Sequence, residues 1–350
     1  MPKPILASIA ALAFAISFDV PAADSGYPDR PVTIVVPASP GGGGDFAARL
    51  LADGLTKAVG QSFVVENRAG AGGNIAATHV ANARPDGYTL LLAYSGTHVA
   101  NPALFSNLQW DPIKSFTAVG LAITAPQVIV VGKDVPARSL KDLVDYAKAN
   151  PGKLDYATSG TGTVQHIGTE LLALRTGTKM VHVPYRGAGA AMTDLLSGQI
   201  DVIITTPPAV VAHIRSGAVR ALAIASKTRH PMLPEVPTTS EAGVDDLELD
   251  AWFGVYAPAG TPAAIIERLA GEVGKVVTSP DFKRRAEAAG TYATSRRPRI
   301  STHSRVANCS TGPMSSRPSA SRWSEGTRFS ITNVEQPNEF SQVVPDFLSA

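Results

Sequence analysis

The chain has 350 residues, a formal net charge of +2 and 44% hydrophobic residues, enough apolar material for one large or two medium domains with true cores. Its basic residues are spread along the body and leave no nucleic-acid footprint, so a small-molecule partner is expected. A single cysteine, Cys309, excludes an internal disulfide, and stability must come from the core.

At the N-terminus Lys3, the apolar run Ile5–Phe18 and Val20-Pro21-Ala22-Ala23 follow the order of an export signal. The run is shorter than the roughly 20 residues that span a bilayer. Residues 1–23 are therefore expected to be a signal peptide, with the mature chain beginning near Asp24. Next, the β-branched strand Val32–Val36 breaks at Pro37 and Pro40 into four glycines, Gly41–Gly44, and a helical pattern starts at Asp45. A strand, a glycine loop and a helix turn backbone N–H groups and the positive end of the helix toward one place, which suits a carboxylate or phosphate. The same glycines could serve only a tight turn. No Gly-Lys-Ser/Thr follows them, which excludes a Walker loop, and no G-x-S-x-G elbow accompanies them, which leaves an oxyanion-hole hydrolase without its nucleophile.

Downstream the spacing predicts a strand over Ser62–Val65, a helix over Asn74–Ala83 capped by Asn74, and a strand over Thr89–Ala93. These βαβ units predict an α/β fold with a mostly parallel sheet and binding loops at the carboxyl ends of its strands, here Pro37–Gly44 and Tyr94–His98. Ala118–Val131 reads as two apolar strands broken by Pro126, where the chain crosses into a second domain. There Ser139-x-x-Asp142 opens a helix to Lys148, followed by the strand Leu154–Thr158, the loop Ser159–Thr163 and the helix Val164–Leu174. The strand Met180–Tyr185, the turn Arg186–Gly189, the helix Ala190–Ser197 and the strand Ile200–Thr205 continue the rhythm, and Leu222–Ala225 closes it. Asp250–Tyr256 returns to the first domain, with helices over Thr261–Val277 and Pro280–Ala289. After Gly290 the pattern fails: Thr291–Ser330 is rich in Ser, Arg and Pro without apolar period, the composition of a disordered tail or of a shifted reading frame.

Glycine-bearing loops in both domains suit a ligand held between them. Gly187-x-Gly189 has Met192 where a dinucleotide fingerprint needs glycine, and His98, His166, His182 and His213 lack metal-ligand spacing, so no cofactor or metal is expected. Of these only His166, near the start of the helix after Gly160–Thr163, is placed to act in the site. Asp45 is a helix cap or a ligand contact, Arg186 is the best cation for a ligand carboxylate or else a surface arginine, and Tyr94, Tyr185, Trp252 and Phe253 line the cleft or pack the core, with the core favoured for the last two.

Eight short stretches, in order, carry a resemblance: Tyr27-Pro-Asp-Arg-Pro-Val-Thr-Ile-Val-Val-Pro, Pro40-Gly-Gly-Gly-Gly-Asp45, Val65-Glu-Asn-Arg-Ala-Gly-Ala-Gly-Gly-Asn74, Pro85-Asp-Gly-Tyr-Thr-Leu90, Asn101-Pro-Ala-Leu-Phe105, Val183-Pro-Tyr-Arg-Gly187, Gly217-Ala-Val-Arg-Ala-Leu222 and Ala257-Pro-Ala-Gly-Thr-Pro262. From Tyr27 to Gly290 the chain resembles the extracytoplasmic solute receptors of tripartite tricarboxylate transporters, the Bug or TctC-like family. The resemblance implies a monomeric periplasmic binding protein of the type II, Venus-flytrap form, each lobe a mainly parallel sheet flanked by helices. Lobe 1 would comprise residues 24–123 and 251–290, lobe 2 residues 124–250, and 291–350 an aberrant tail in place of the family's terminal helix. It further implies capture of a small organic acid without enzyme chemistry or cofactor, and delivery to a two-component membrane permease. The implied ligand-binding residues are Ala38, Ser39, Gly41, Gly42 and Asp45; Tyr94, Ser95 and Thr97; Gly160, Thr161, Gly162, Thr163 and His166; Arg186, Gly187 and Ala188; and Thr205. Family members often carry an acidic-amide pair where this chain has Thr205-Thr206. The rival readings are a hydrolase using Gly41–Gly44 as an oxyanion hole and a non-functional, frameshifted receptor.

Overall fold

A computed structural model describes residues 26–295; the expected export signal at 1–23 and the tail from 296 lie outside them. The first parallel block has the order β2-β1-β3, built from β1 (Val32–Val36), β2 (Phe63–Asn67) and β3 (Thr89–Tyr94) and connected by α1 (Gly43–Val59) and α2 (Asn74–Ala81), with the short helix α3 (Asn101–Leu104) following β3. Side chains alternate along β1: Val32, Ile34 and Val36 face the core that holds α1, while Val35 faces the opposite core. Ala47, Ala48, Leu51 and Leu55 recur at helical spacing and form the buried stripe that seats α1 on the sheet. Gly60 ends the helix in the left-handed conformation, φ 81°, its N–H bonded to the Thr56 carbonyl. The cap of α2 is Gly73, not Asn74; Asn74 is the first helical residue, and its Oδ1 accepts from Asn101 Nδ2 at 2.8 Å.

The element that joins the halves is β4 (Phe116–Gly132). Its first part pairs antiparallel with β9 (Asp250–Pro258), from Phe116↔Pro258 to Pro126↔Asp250. Its second part pairs antiparallel with β7 (Val202–Thr205) and β8 (Val219–Ala225), beginning at Gln127↔Ala225. The expected break into two strands is therefore corrected to one strand that changes partners between Pro126 and Gln127. Proline is tolerated at such a seam, where the ladder ends and its missing donor is not needed.

Lobe 2 consists of α4 (Leu140–Ala149), β5 (Asp155–Thr158), α5 (Val164–Thr176), β6 (Val181–Pro184), α6 (Ala188–Ser197) and α7 (Pro207–Arg215) with β7, β8 and half of β4. The capping box is present: Ser139 accepts from the Asp142 N–H, and the Asp142 carboxylate accepts from the Ser139 N–H. Helix α7 is absent from the sequence reading; its two prolines occupy the first turn, where no N–H is required. Only the outer blocks β2-β1-β3 and β7-β5-β6 are parallel, because the two connections between lobes run out and back side by side and make the centre antiparallel. The two-lobed α/β architecture stands, with a mixed sheet in place of a mainly parallel one.

The chain returns through β9 to α8 (Ala263–Thr278), α9 (Pro280–Ala288) and β10 (Tyr292–Ala293) on lobe 1. The fold does not stop at Gly290. Thr291 is buried and bonds the Ala286 carbonyl, Tyr292 and Ala293 pair with Thr124 and Ile123, and the Thr294 N–H reaches the Ala122 carbonyl. A two-residue strand is too short to show an alternation in sequence. Because α1 carries the first glycine loop, its packing decides whether the site is positioned: Leu51→Ala, at a fully buried position, is expected to lower unfolding free energy by about 2–5 kcal/mol in urea denaturation; a change below about 1 kcal/mol would show that α1 is not seated through this stripe.

Candidate functional site

The loops at the carboxyl ends of the strands meet across the seam between the lobes. Both the backbone N–H and the hydroxyl of Ser39, after β1, donate to the carbonyl of Arg186, after β6, at 3.1 and 2.9 Å. A side chain would block this approach: a Cβ on Gly187 would lie 2.8 Å from Ser39, one on Gly189 would overlap the Pro40 carbonyl, and one on Gly43 would lie 2.5 Å from Thr206 Oγ1. Gly42 faces Ala188, with a Cβ-to-Cβ distance of 3.3 Å if it carried one. A second line of contact runs from Gly72 to the Thr161 carbonyl and from Gly96 to Thr163. The cleft is closed, and backbone forms much of its seam.

On the lobe 1 side the helix cap is Gly42, and Asp45 is the third helical residue, which corrects its reading as the cap. The Asp45 carboxylate accepts from Gly41 N–H at 3.2 Å, from Arg49 Nε at 3.1 and 3.0 Å and from Asn67 Nδ2 at 3.0 Å. Asn67 also donates to the Ala38 carbonyl at 3.0 Å. Burial works against the charge of Asp45, yet the bonds from Arg49, Gly41 and Asn67 hold its carboxyl below the usual range. Asp45 thus anchors the loop, leaving the first-turn amides of α1 as the orphan donors of a helix N-terminus.

In lobe 2, Thr163 caps α5 by accepting from His166 N–H at 3.4 Å while its hydroxyl donates to the Gly160 carbonyl at 2.8 Å. Thr158 Oγ1 bonds both the carbonyl and the N–H of Gly160 at 3.2 Å. His166 Nδ1 accepts from Gly162 N–H at 3.3 Å, and its ring stacks on His182 with centroids 4.0 Å apart. His166 therefore stands behind the loop as its support. Thr161 is exposed at the tip.

The third set of residues lies after β3. Tyr94 Oη reaches the Gly72 carbonyl at 3.4 Å, Thr97 Oγ1 donates to the Tyr94 carbonyl at 3.0 Å, and Asn101 Nδ2 donates to Gly72 at 2.9 Å. Ser95 Oγ and Thr205 Oγ1 are buried and find no partner among the described residues, which makes them the buried free hydroxyls of the expected set. The Arg186 side chain is exposed, and its backbone carbonyl makes the contact between lobes. Trp252 and Phe253 lie in the core, as expected. Sequence reasoning missed Asn67, Asn101 and Gln127 as residues of this region, while Thr206 stood beside Thr205 in one of the loops that the resemblance assigned to the cleft. Gln127 carried a signal, a lone amide in an apolar strand beside Pro126.

The model of the tripartite tricarboxylate transporter family receptors matches residues 47–294. The chain belongs to this family. Protein BugT of Bordetella pertussis is 40% identical over 254 residues, 72% of this chain and 78% of that protein. Among solved structures, an R. palustris protein with adipate is 37% identical with a TM-score of 0.76, over 78% of this chain and 91% of that one. MatC from Rhodopseudomonas palustris with bound malate is 37% identical with a TM-score of 0.73, over 76% and 91%. The chain is therefore a periplasmic solute-binding receptor of this family.

The stacked histidines predict an acid response in stability. Burial pushes both rings down, against the pull of Glu170 on His166, and proximity to His166 adds to the effect on His182, which reaches about 4. The unfolded chain takes up protons as pH falls through about 6.5, whereas the folded rings stay neutral to lower pH, so stability is full above about 6.5 and falls toward 4. The urea midpoint is expected to drop between pH 7 and pH 5, and His182→Phe to shrink that drop; an identical pH slope in the variant would contradict the assignment.

Proposed function

We propose that this receptor captures a small organic carboxylate between its lobes and hands it to the membrane permease of a tripartite transporter after export to the periplasm. The carrying observation is the closure of two backbone-lined loops on each other through Ser39 and Arg186, with the N-termini of α1 and α6 behind them. Helix N-termini and loop amides favour an anion, and the free Ser95 and Thr205 hydroxyls add adaptable bonds. The relatives solved with adipate and malate support an acid of this kind. Ligand binding favours the closed state by its higher affinity for it, and no covalent step is involved. A hydrolase reading has less support: the Gly41 N–H is committed to Asp45 and the Ser39 hydroxyl to the Arg186 carbonyl, which leaves neither an open oxyanion donor at Gly41 nor an activated serine.

Thermal unfolding of the mature chain with a panel of carboxylic acids tests the reading. An acid at a hundred times its dissociation constant is expected to add about 2.7 kcal/mol, a clear rise in midpoint; a cooperative melt that no acid moves would contradict it. Closure makes a second demand. Gly189→Val places a side chain against the Pro40 carbonyl and is expected to weaken affinity for the bound acid at least tenfold in isothermal titration without unfolding lobe 2; unchanged affinity would show that the seam need not close.

A further inference from the structure

Gln127 is fully buried, and neither its Nε2 nor its Oε1 has a partner among the described residues. Its backbone is fixed: the N–H donates to the Leu249 carbonyl at 2.9 Å, and the residue pairs with Ala225 where β4 enters lobe 2. Because β7 runs antiparallel to β4, Thr205 at the carboxyl end of β7 lies beside Val128, and Gln127 lies one residue further out, at the edge that faces lobe 1. Side chains alternate along this half of β4. Ile129 and Val131 face the core that contains Val164 and Ala100, whereas Val128 and Val130 face the other core, so Gln127 takes the former side. Val164 opens α5 directly after the Gly160–Thr163 loop, and Ala100 ends the turn that follows Ser95. Two of the cleft loops therefore send residues into the core on the side that Gln127 takes.

A primary amide offers two donors and one oxygen acceptor, and burying them unpaired forfeits the hydrogen bonds they made to water. At a strand seam otherwise flanked by Ala125, Pro126 and Val128, an aliphatic side chain would fill the space without that penalty. We propose that Gln127 is a specificity-determining residue of the cleft, its carboxamide pairing with a ligand end that presents an acceptor and a donor side by side. A 2-hydroxycarboxylate does so, its carboxylate accepting from Nε2 and its hydroxyl donating to Oε1; a terminal carboxamide does so with its own oxygen and N–H. A bare carboxylate only accepts and leaves Oε1 unpaired beside a negative charge. This inference rests on the carboxylate reading above and narrows it.

The test is isothermal titration of the mature chain with unbranched four- to six-carbon diacids, each matched to its 2-hydroxy and half-amide counterparts, for the wild type and for Gln127→Leu. The wild type is expected to prefer the hydroxylated or amidated member about tenfold or more, and Gln127→Leu to erase that preference. Thermal melts of the unliganded proteins report folding, and Gln127→Met supplies the same comparison if the leucine variant melts early. A wild type that binds acids without this preference, or a folded variant that keeps it, overturns the role of Gln127 alone. A wild type that binds no member of the panel overturns the carboxylate reading, and this inference falls with it.

Discussion

Two loops from separate lobes can share a hydrogen bond only where side chains do not keep them apart, and that steric condition governs this receptor. Ser39 reaches the Arg186 carbonyl because Gly187 and Gly189 present bare backbone to it. Gly43 does the same for Thr206. The glycines behind the first strand thus serve two ends at once, exposing the amides of a helix N-terminus and letting the opposite lobe approach. Asp45 holds the loop in that shape from behind, and its negative charge is balanced by Arg49, so a negative ligand in front of the helix meets the amides more than the carboxylate.

The same economy appears at the crossing. Strand β4 carries the chain from one sheet to the other without a loop, and Pro126 marks the place where one ladder ends and the next begins. β9, through Asp250, and Leu249 just before it lie alongside the seam on the return, so the two strands that join the lobes pass the seam side by side at one level. The closure proposed above would bend them there and leave each core intact. Gln127 stands at that level, an amide without a side-chain partner among the described residues, where the strand passes from one lobe to the other.

Much of this was legible in the residues. Short β-branched or apolar runs give β1 and β3, and helical spacing gives α1, α4, α5 and α8 to within a few residues, because each of these helices has one buried face; the glycine loops mark the binding edge. What could not be read follows from tertiary context. Pro126 looks like a strand breaker until a change of partners removes the need for its N–H, and Tyr292–Ala293 is too short to carry a period. At the site, the spacing singled out Asp45, Thr163 and His166 but not their use: their polar atoms are committed to holding loops, and that depends on where Asn67, Gly160 and Gly162 fall in space. Ser95 and Thr205, by contrast, keep free hydroxyls at the seam.

The central claim is that the lobes close on a small acid, and small-angle X-ray scattering of the mature chain tests it directly. With a saturating acid whose binding is established independently, the account predicts a smaller radius of gyration than in its absence, as the Ser39–Arg186 seam forms. An unchanged radius of gyration with the acid bound would contradict capture by closure.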